Sequence, residues 1–551
     1  MKKVKILLSL LCFISIFLFN EKVDALGLNA GTYTSKDGHK IVVNSDNTVK
    51  YDDTYVLTLS SKATGDTLTG KLGTDKKSAT FYQINETKII SGAVITYKHD
   101  GATINLYDYT VFSTDNSPVV DDAGKIELWR NNSKVNSYSN LQHAVDASVT
   151  GDTIKITDDI SIVGGAYING KNITIDGLNH TLKASTWLNT IFVVDESATL
   201  NIKNLTVDGD ADGFEVDKSS INIQTGTSTK IPIKSGSDSS DPKRTLSIVV
   251  SKGNLNVLDS SFNNNYINGS GAVINVVSGN LNLDSSEFKH NRATSGGSLY
   301  IGSNFKAGQT DYSINEVIIK DCEFSTNYSN NGGAIYMYNV EKTDILNTDF
   351  IKNTVTGGKG GAILINNQSK RVSTTFNIPF PSMLLDNTLF EENWVGNDGA
   401  AIENHEAAMI IKNSVFRRNV GIHSTSSCGT VSYSVSEVVQ VPQVIENCLF
   451  EENMGGASTL ADHGTYVKLD VINTKFVRNK AGYNSMLLYS ANALFENCLF
   501  DGEIVSKTVI DIISYGPEYY DNIPRKVILR DVTFKDTKYN GNDVWLRKLN
   551  D

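Results

Sequence analysis

The stretch Val444-Ile445-Glu446-Asn447-Cys448-Leu449-Phe450-Glu451-Glu452-Asn453 is one copy of a unit that returns through the second half of the chain. Apolar residues alternate, a bend residue follows, then come a small residue, any residue, Phe, and Asn three places on. The phenylalanines of ten such units are Phe262, Phe288, Phe324, Phe350, Phe390, Phe416, Phe450, Phe476, Phe500 and Phe534. Their spacings are 26, 36, 26, 40, 26, 34, 26, 24 and 34 residues. Repeats of this length are supersecondary units that bury their apolar faces only by stacking on one another.

Within a unit the side-chain parity shifts by one. In Val317, Ile319, Cys322, Phe324 and in Leu469, Val471, Thr474, Phe476, the shift falls at Asp321 and Asn473. Strand side chains alternate between faces, and Asn and Asp tolerate left-handed backbone angles. The strand is therefore predicted to turn a corner at that residue while its apolar side stays inward. The Val444 unit is irregular, because Gln443 stands where an apolar residue belongs.

The small inward position reads Ser260, Ser286, Cys322, Thr348, Thr388, Ser414, Cys448, Thr474, Cys498 and Val532. Stacked coils make this a ladder beside a second ladder of phenylalanines. The Asn three beyond Phe is present in eight of the ten units, Asn265 to Asn479, and reads as a turn residue with backbone or ladder hydrogen bonds. A glycine-led strand follows most phenylalanines, as in Gly296-Gly297-Ser298-Leu299, Gly332-Gly333-Ala334-Ile335 and Gly360-Gly361-Ala362-Ile363. One repeat thus supplies several strands, which is one coil of a solenoid. The strands are short and the basic period is below a propeller blade's usual length of about 40 residues.

The chain has 551 residues and a formal net charge of −11, which argues against nucleic acid or anionic membranes as partners. Residues 1–25 read as a signal peptide: Lys2, Lys3 and Lys5 precede an apolar run, and Val23-Asp24-Ala25 fits a cleavage site. No later run is long and apolar enough to span a bilayer. Residues 26–122 alternate strands and turns, predicting a small antiparallel β barrel or sandwich. Residues 123–551 form the solenoid, with a capping helix at 139–149 and repeats at about 255–540. That helix is capped by Ser139 or Asn140, and Leu141, Ala144, Val145 and Ser148 share one face. Its expected role is to cover the open end of the first coil. Cys322, Cys448 and Cys498 occupy the small inward position and are read as buried thiols, without disulfides or metal.

The paired FxxN and GGA[ILV] motifs, over roughly residues 255–540, resemble the repeats of chlamydial polymorphic outer-membrane proteins. They are also similar to methanogen adhesin-like proteins and to the wider pectate-lyase-like β-helix superfamily. Ser139 to Ile156, with Asn172-Ile173-Thr174-Ile175-Asp176-Gly177, resembles the entry segment of such folds. The resemblance implies an all-β, right-handed parallel β-helix, and the handedness comes from it alone. It also implies either an adhesin-like surface protein or a polysaccharide lyase or glycoside hydrolase.

The residues single out few chemical groups. Asn347-Thr348-Asp349 is the repeat consensus and reads as structural. Asp462 and His463 lie in a degenerate glycine-rich stretch and are a weak catalytic candidate. Glu403, His405 and Glu406 form a closer acid/base group. Alternation places Glu403 and His405 on one face, read as a solvated one. Asp208-Gly209-Asp210-Ala211-Asp212-Gly213 matches DxDxDG, so Asp208, Asp210 and Asp212 are candidate calcium ligands, set against a plain acidic turn. Insertions at Ser303 to Tyr312, Asn366 to Pro381 and Gly421 to Pro442 lengthen particular coils, as binding loops or as neutral decoration. The expectation is a secreted, monomeric, surface-associated protein that binds a polysaccharide or a surface protein and requires no cofactor. The alternative is an enzyme acting in a β-helix groove, which a cluster of two acids, or of an acid with Arg or Lys, would favour.

Overall fold

The computed structural model describes residues 28–548 apart from 36–37, 46–47, 52–54, 62–67, 73–77, 86, 92–94, 100–101, 107–110, 115–123, 163, 185–189, 210, 212–214, 217–232, 236–245, 303–315, 339, 367–381, 423–428, 435–440, 457, 463–466, 490–491, 515–525 and 539–543. The signal-peptide reading, Asp210, Asp212, Cys428 and His463 fall outside the described residues. The chain divides into two compact units, Met1–Asn116 and Ser117–Asp551.

In the first unit, eight antiparallel strands between Gly31 and Ser113 close into a barrel. Of the two shapes allowed by the sequence, the barrel is the one formed. Tyr33, Ile41, Phe81, Ile89 and Phe112 fill it.

The second unit is a parallel β-helix. Among the described residues, sheet A contains 26 strands, sheet B 13 and sheet C seven short ones. Each coil of the repeat region puts two strands into sheet A, separated by one left-handed residue, as in Glu316–Lys320 and Glu323–Ser325 on either side of Asp321 (φ 52°). The same corner is made by Asp259, Ser285, Asn347, Asn387, Asn413, Asn447, Asn473, Asn497 and Asp531. A second left-handed corner follows two residues after each phenylalanine. It is made by Asn264, His290, Thr326, Lys352, Glu392, Arg418, Glu452, Arg478 and Asp536, and by Gly502 in the remaining coil.

The ten phenylalanines stack in register along sheet A. Neighbouring ring centroids lie 4.5–5.4 Å apart with planes within 17°. That spacing is set by the strand separation, which imposes a stacked geometry along the whole spine. In the small-residue ladder, Ser, Thr and Cys are interchangeable for a physical reason. Each turns its hydroxyl or thiol to the carbonyl two residues back, as Ser286 does to Asp284, Thr348 to Leu346 and Cys448 to Glu446. Cys322, Cys448 and Cys498 are free and buried, and burial pushes Cys322 up to about 12 and Cys448 to about 11. Such thiols are inert.

The asparagines beyond each phenylalanine form a buried amide ladder. Asn265, Asn291, Asn327, Asn353, Asn393, Asn419, Asn453 and Asn479 are fully enclosed. The Oδ1 of Asn393 accepts from Asn353 N and Nδ2, both at 3.0 Å, and its Nδ2 donates to Phe350 O at 2.8 Å and Asn419 Oδ1 at 2.9 Å. The same pattern runs through the other coils. In the ninth coil Glu503 takes the place of Asn and accepts from Asn479 N and Nδ2 at 2.9 Å each. In the glycine pairs, the first residue is left-handed (Gly332, φ 63°) and the second allows close approach, since a Cβ on Gly333 would lie 1.9 Å from Gly361 O.

The predicted helix forms as helix α1 (Leu141–Ala147), with Asn140 as its cap, accepting from Gln142 N. Leu141, Ala144, Val145 and Ser148 are buried. Gln142 shows how the helix closes the end of sheet B. Its Oε1 accepts from Tyr167 N at 2.7 Å and its Nε2 donates to Tyr167 O at 3.4 Å, so one side-chain amide stands in for a missing strand on Ala166–Ile168. Lys171 Nζ donates to Val145 O and Ser148 O, both at 2.8 Å, satisfying the helix's last carbonyls.

The irregular Gln443 is also explained. It is fully buried, in register with Met409 and Leu469, and its amide bonds Ala407 O at 2.7 Å and Asn404 at 3.2 Å. A polar residue survives in the core because a second one, Asn404, enters from sheet B to pair with it.

Candidate functional site

The site is built on the outer face of sheet B. Its strands Ile335–Tyr338, Ile363–Asn366 and Ile402–His405 pair in parallel, which aligns Tyr336, Leu364 and Glu403 in one outward column and Tyr338, Asn366 and His405 in the next. Tyr300 stacks on Tyr336 with centroids 5.2 Å apart, and Asn366 Nδ2 donates to Tyr336 Oη at 2.9 Å.

Glu403 and His405 share a face, as alternation predicted, but the face is not solvated. Glu403 is 1% exposed, His405 7% and Glu406 5%, which overturns the reading of this group as a water-facing strand. The reason is that the outer face of sheet B is covered from Ile363–Asn366 onward, where Leu364, Ser432, Ala461 and Leu487 on that side are buried too, whereas Tyr300, Tyr336 and Tyr338 on the preceding strands are half-buried.

Two residues that sequence reasoning missed complete the cluster. Lys359, in the turn before Ile363–Asn366, places Nζ 3.1 Å from Glu403 Oε1 and 2.9 Å from Asp398 Oδ2. His405 Nε2 lies 2.7 Å from the same Glu403 oxygen. Burial pushes the Glu403 carboxyl up, but His405 and Lys359 together outweigh it and hold it below the usual carboxylate range. Burial alone would lower Lys359, yet Glu403 and Asp398 keep its ammonium above its ordinary value. The ammonium of Lys359 thus bridges two buried carboxylates. Two acceptors remain over: Glu403 Oε2 and Asp398 Oδ1 are buried without a hydrogen-bond partner among the described residues. Within Ile402-Glu403-Asn404-His405 charge replaces the Tyr, Leu, Ser and Ala of neighbouring coils in the outward column, but the strand carries no mark of Lys359 or Asp398.

The other candidates lie elsewhere. Asp462 is the last residue of Leu460–Asp462, 1% exposed and on the inward side, in register with Tyr433 and Leu488. It does not join Glu403. Asn347-Thr348-Asp349 is structural, with Asn347 at the corner and Thr348 in the small-residue ladder. Asp208 Oδ1 accepts from Asn264 Nδ2 at 3.2 Å. Among the described residues no three His, Cys, Asp or Glu side chains are grouped to hold a metal ion. Among them, too, no helix is long and apolar enough to cross a membrane.

No protein-family model matches the chain, and no curated protein does. Solved structures similar to it include tailspike protein 3 of bacteriophage CBA120, at 13% identity and TM-score 0.30. That match covers 72% of this chain and spans 56% of the tailspike. The catalytic domain of a GH87 alpha-1,3-glucanase in complex with nigerose is similar at 11% identity and TM-score 0.38, over 96% of this chain and 87% of that one. A family 28 exopolygalacturonase of Yersinia enterocolitica is similar at 9% identity and TM-score 0.32, over 87% and 85%. The fold assignment rests on the strand register described above.

Proposed function

We propose that this chain is a secreted or cell-surface, adhesin-like β-helix that binds a glycan or a surface protein through the outer face of sheet B. The observation that carries this reading is the part-exposed stack of Tyr300 on Tyr336, with Tyr338 beside it and the Asn366 amide on the Tyr336 hydroxyl, next to the buried charged cluster of Lys359, Asp398, Glu403 and His405. Part-exposed aromatic rings with a few polar groups beside them are a lining on which a sugar ring or a protein loop can rest. Glu403 is held below the usual carboxylate range, the opposite of what a general acid for glycosidic cleavage requires. A relation to the chlamydial polymorphic outer-membrane repeats, export by the N-terminal segment, and calcium at Asp208, Asp210 and Asp212 belong to the same proposal.

The second reading is a polysaccharide lyase or glycoside hydrolase. It is favoured by one observation: two acids meet on a single ammonium, and Glu403 orients His405 at 2.7 Å as an acid orients a catalytic base. One experiment separates the two. The pure protein is applied to a glycan array and, in parallel, incubated with the polysaccharides it retains. Saturable retention with no new reducing or unsaturated ends supports the binding protein. Product release that disappears in Glu403→Gln supports the enzyme and sinks the binding-only reading.

A further inference from the structure

The buried charged cluster holds a chemistry that needs no ligand. Lys359 and Asp398 occupy the same position in successive coils, each just before a left-handed glycine, Gly360 (φ 70°) and Gly399 (φ 69°). Gly360 N donates to Asp398 O at 2.9 Å and Gly361 N to Gly399 O at 2.8 Å, so the stacked register holds the two side chains together. Lys359 Nζ lies 2.9 Å from Asp398 Oδ2 and 3.1 Å from Glu403 Oε1. Both carboxylates are buried, and the lysine is a third exposed. In water an amine and an acid resist condensation because both ions are well hydrated. Burial strips that hydration, and an amide in their place carries no charge to desolvate. Fixed contact favours the step further, since well-oriented intramolecular groups react as if at about 10⁵ M or more.

We infer that Lys359 and Asp398 condense to an isopeptide bond that staples the coil of Ile363–Asn366 to the coil of Ile402–His405, with Glu403 as the proton relay. One proton passes from the Lys359 ammonium to Glu403, and the freed nitrogen pair attacks Asp398 Cγ. The C–N bond forms as the carbonyl pair moves to oxygen. Glu403 carries protons from nitrogen to the leaving oxygen, the C–O bond breaks, and water departs. Of the three ammonium hydrogens, one stays on the amide and two leave in the water. The charges of Lys359 and Asp398 vanish together, Glu403 ends as it began, and no oxidant or second substrate is needed. Asp398 is the acid attacked, being the nearer of the two, whereas Glu403 Oε1 is also engaged by His405 at 2.7 Å. Taking a proton from an ammonium held above its ordinary value is uphill. The reaction runs once per chain, however, so a slow step suffices. Until the bond forms the cluster is the set of ion pairs, with the energetics of ion pairs.

The test is mass spectrometry of the folded full chain, intact and after trypsin, following incubation at neutral pH. The expected mass is lower than that of the unlinked chain by one water. Trypsin, blocked after Lys359, should release a branched peptide joining residues 353–370 to 372–412, and fragmentation should place the link on Asp398. Lys359→Met and Asp398→Ala should lack the branched peptide. Glu403→Gln keeps both partners and the volume of the relay, and should form the link at least about a hundredfold more slowly. Folding of each protein is checked by hydrogen exchange at Ile363–Asn366 and Ile402–His405. A folded wild-type chain that trypsin cuts after Lys359, with no branched peptide, overturns the inference and leaves a salt bridge only. A link that persists in Asp398→Ala, now on Glu403, overturns the assignment of the acid. A link formed at the wild-type rate in Glu403→Gln overturns the relay.

Discussion

Replacing Glu503 by Gln should abolish a pH dependence of stability in the C-terminal coils. Glu503 is fully enclosed, its Oε1 accepts both donors of Asn479, and its Oε2 meets Ser485 Oγ. Burial raises its carboxyl from 4.5 to about 7, against the smaller lowering by Ser485 and Asn479. Below pH 4.5 folded and unfolded chains both hold the proton, and the contribution is fully present. As pH rises from 4.5 to 7, the unfolded chain ionises while the folded one keeps its proton, so stability falls. At about 1.4 kcal/mol per pH unit the loss is about 3 kcal/mol, complete slightly above pH 7. The Gln side chain cannot titrate, yet it offers an oxygen to Asn479 and an amide hydrogen to Ser485. A solenoid can open in pieces, so the assay is hydrogen exchange read coil by coil at pH 5 and pH 8, corrected for intrinsic rates. For amides of Leu499–Asp501 and Thr508–Ser514, wild-type protection should fall about a hundredfold more than that of Glu503→Gln. Equal pH dependence in the two proteins would refute the reasoning. So would a variant that is equally destabilised at both pH values.

Three further outcomes are expected. Asn393→Leu strands four hydrogen-bonding groups in the ladder and should cost at least about 4 kcal/mol in denaturant unfolding, with many molecules insoluble. At the corners the sign depends on the residue replaced: Asn473→Val should cost about 1–2 kcal/mol, whereas Lys352→Asn should gain about 0.5–1 kcal/mol, both read from urea midpoints. Lys359→Met removes the cation from two buried carboxylates. It should cost about 2–3 kcal/mol at neutral pH, less than for a fully buried pair because the lysine is a third exposed, with part of the loss restored by adding Glu403→Gln.

The phenylalanine spine and the first corner were legible because each leaves a local mark. Phe324 recurs at fixed offset, and Asp321 or Asn473 sits where parity shifts. The second corner left none. Lys352, Glu392, Arg418 and Arg478 have no preference for a left-handed backbone; the stacked register and the buried asparagine one residue on impose it. The cluster was half legible. Glu403 and His405 stood out as an acid and a base two residues apart. Alternation distinguishes inside from outside, however, and an outer face that is covered leaves no signature in a single strand. Lys359 reaches Glu403 from a turn a full coil away, Asp398 joins only through Lys359, and no spacing rule connects the three. Gln443 looked like an error in the pattern and is one half of a buried pair whose other half, Asn404, lies on a different sheet.

The amide ladder also has a direction. From Asn265 to Asn479, every backbone N–H and every Nδ2 that bonds along the ladder points toward the C-terminal side, into the next Oδ1. The dipoles therefore add, and the string behaves like the peptide dipoles of a helix laid across coils instead of along one chain. Its negative end is the Oδ1 of Asn265, which has no hydrogen-bond partner among the described residues; its positive end is Asn479. Glu503 meets that positive end with Oε1 as acceptor while its Oε2 faces Ser485, and Thr537, in the tenth coil, carries no side-chain amide to extend the string. Glu503 is thus a terminator: coils can be added or lost between Asn265 and Asn479 without loss of polarity, whereas an acid moved to the upstream end would meet the string head-on.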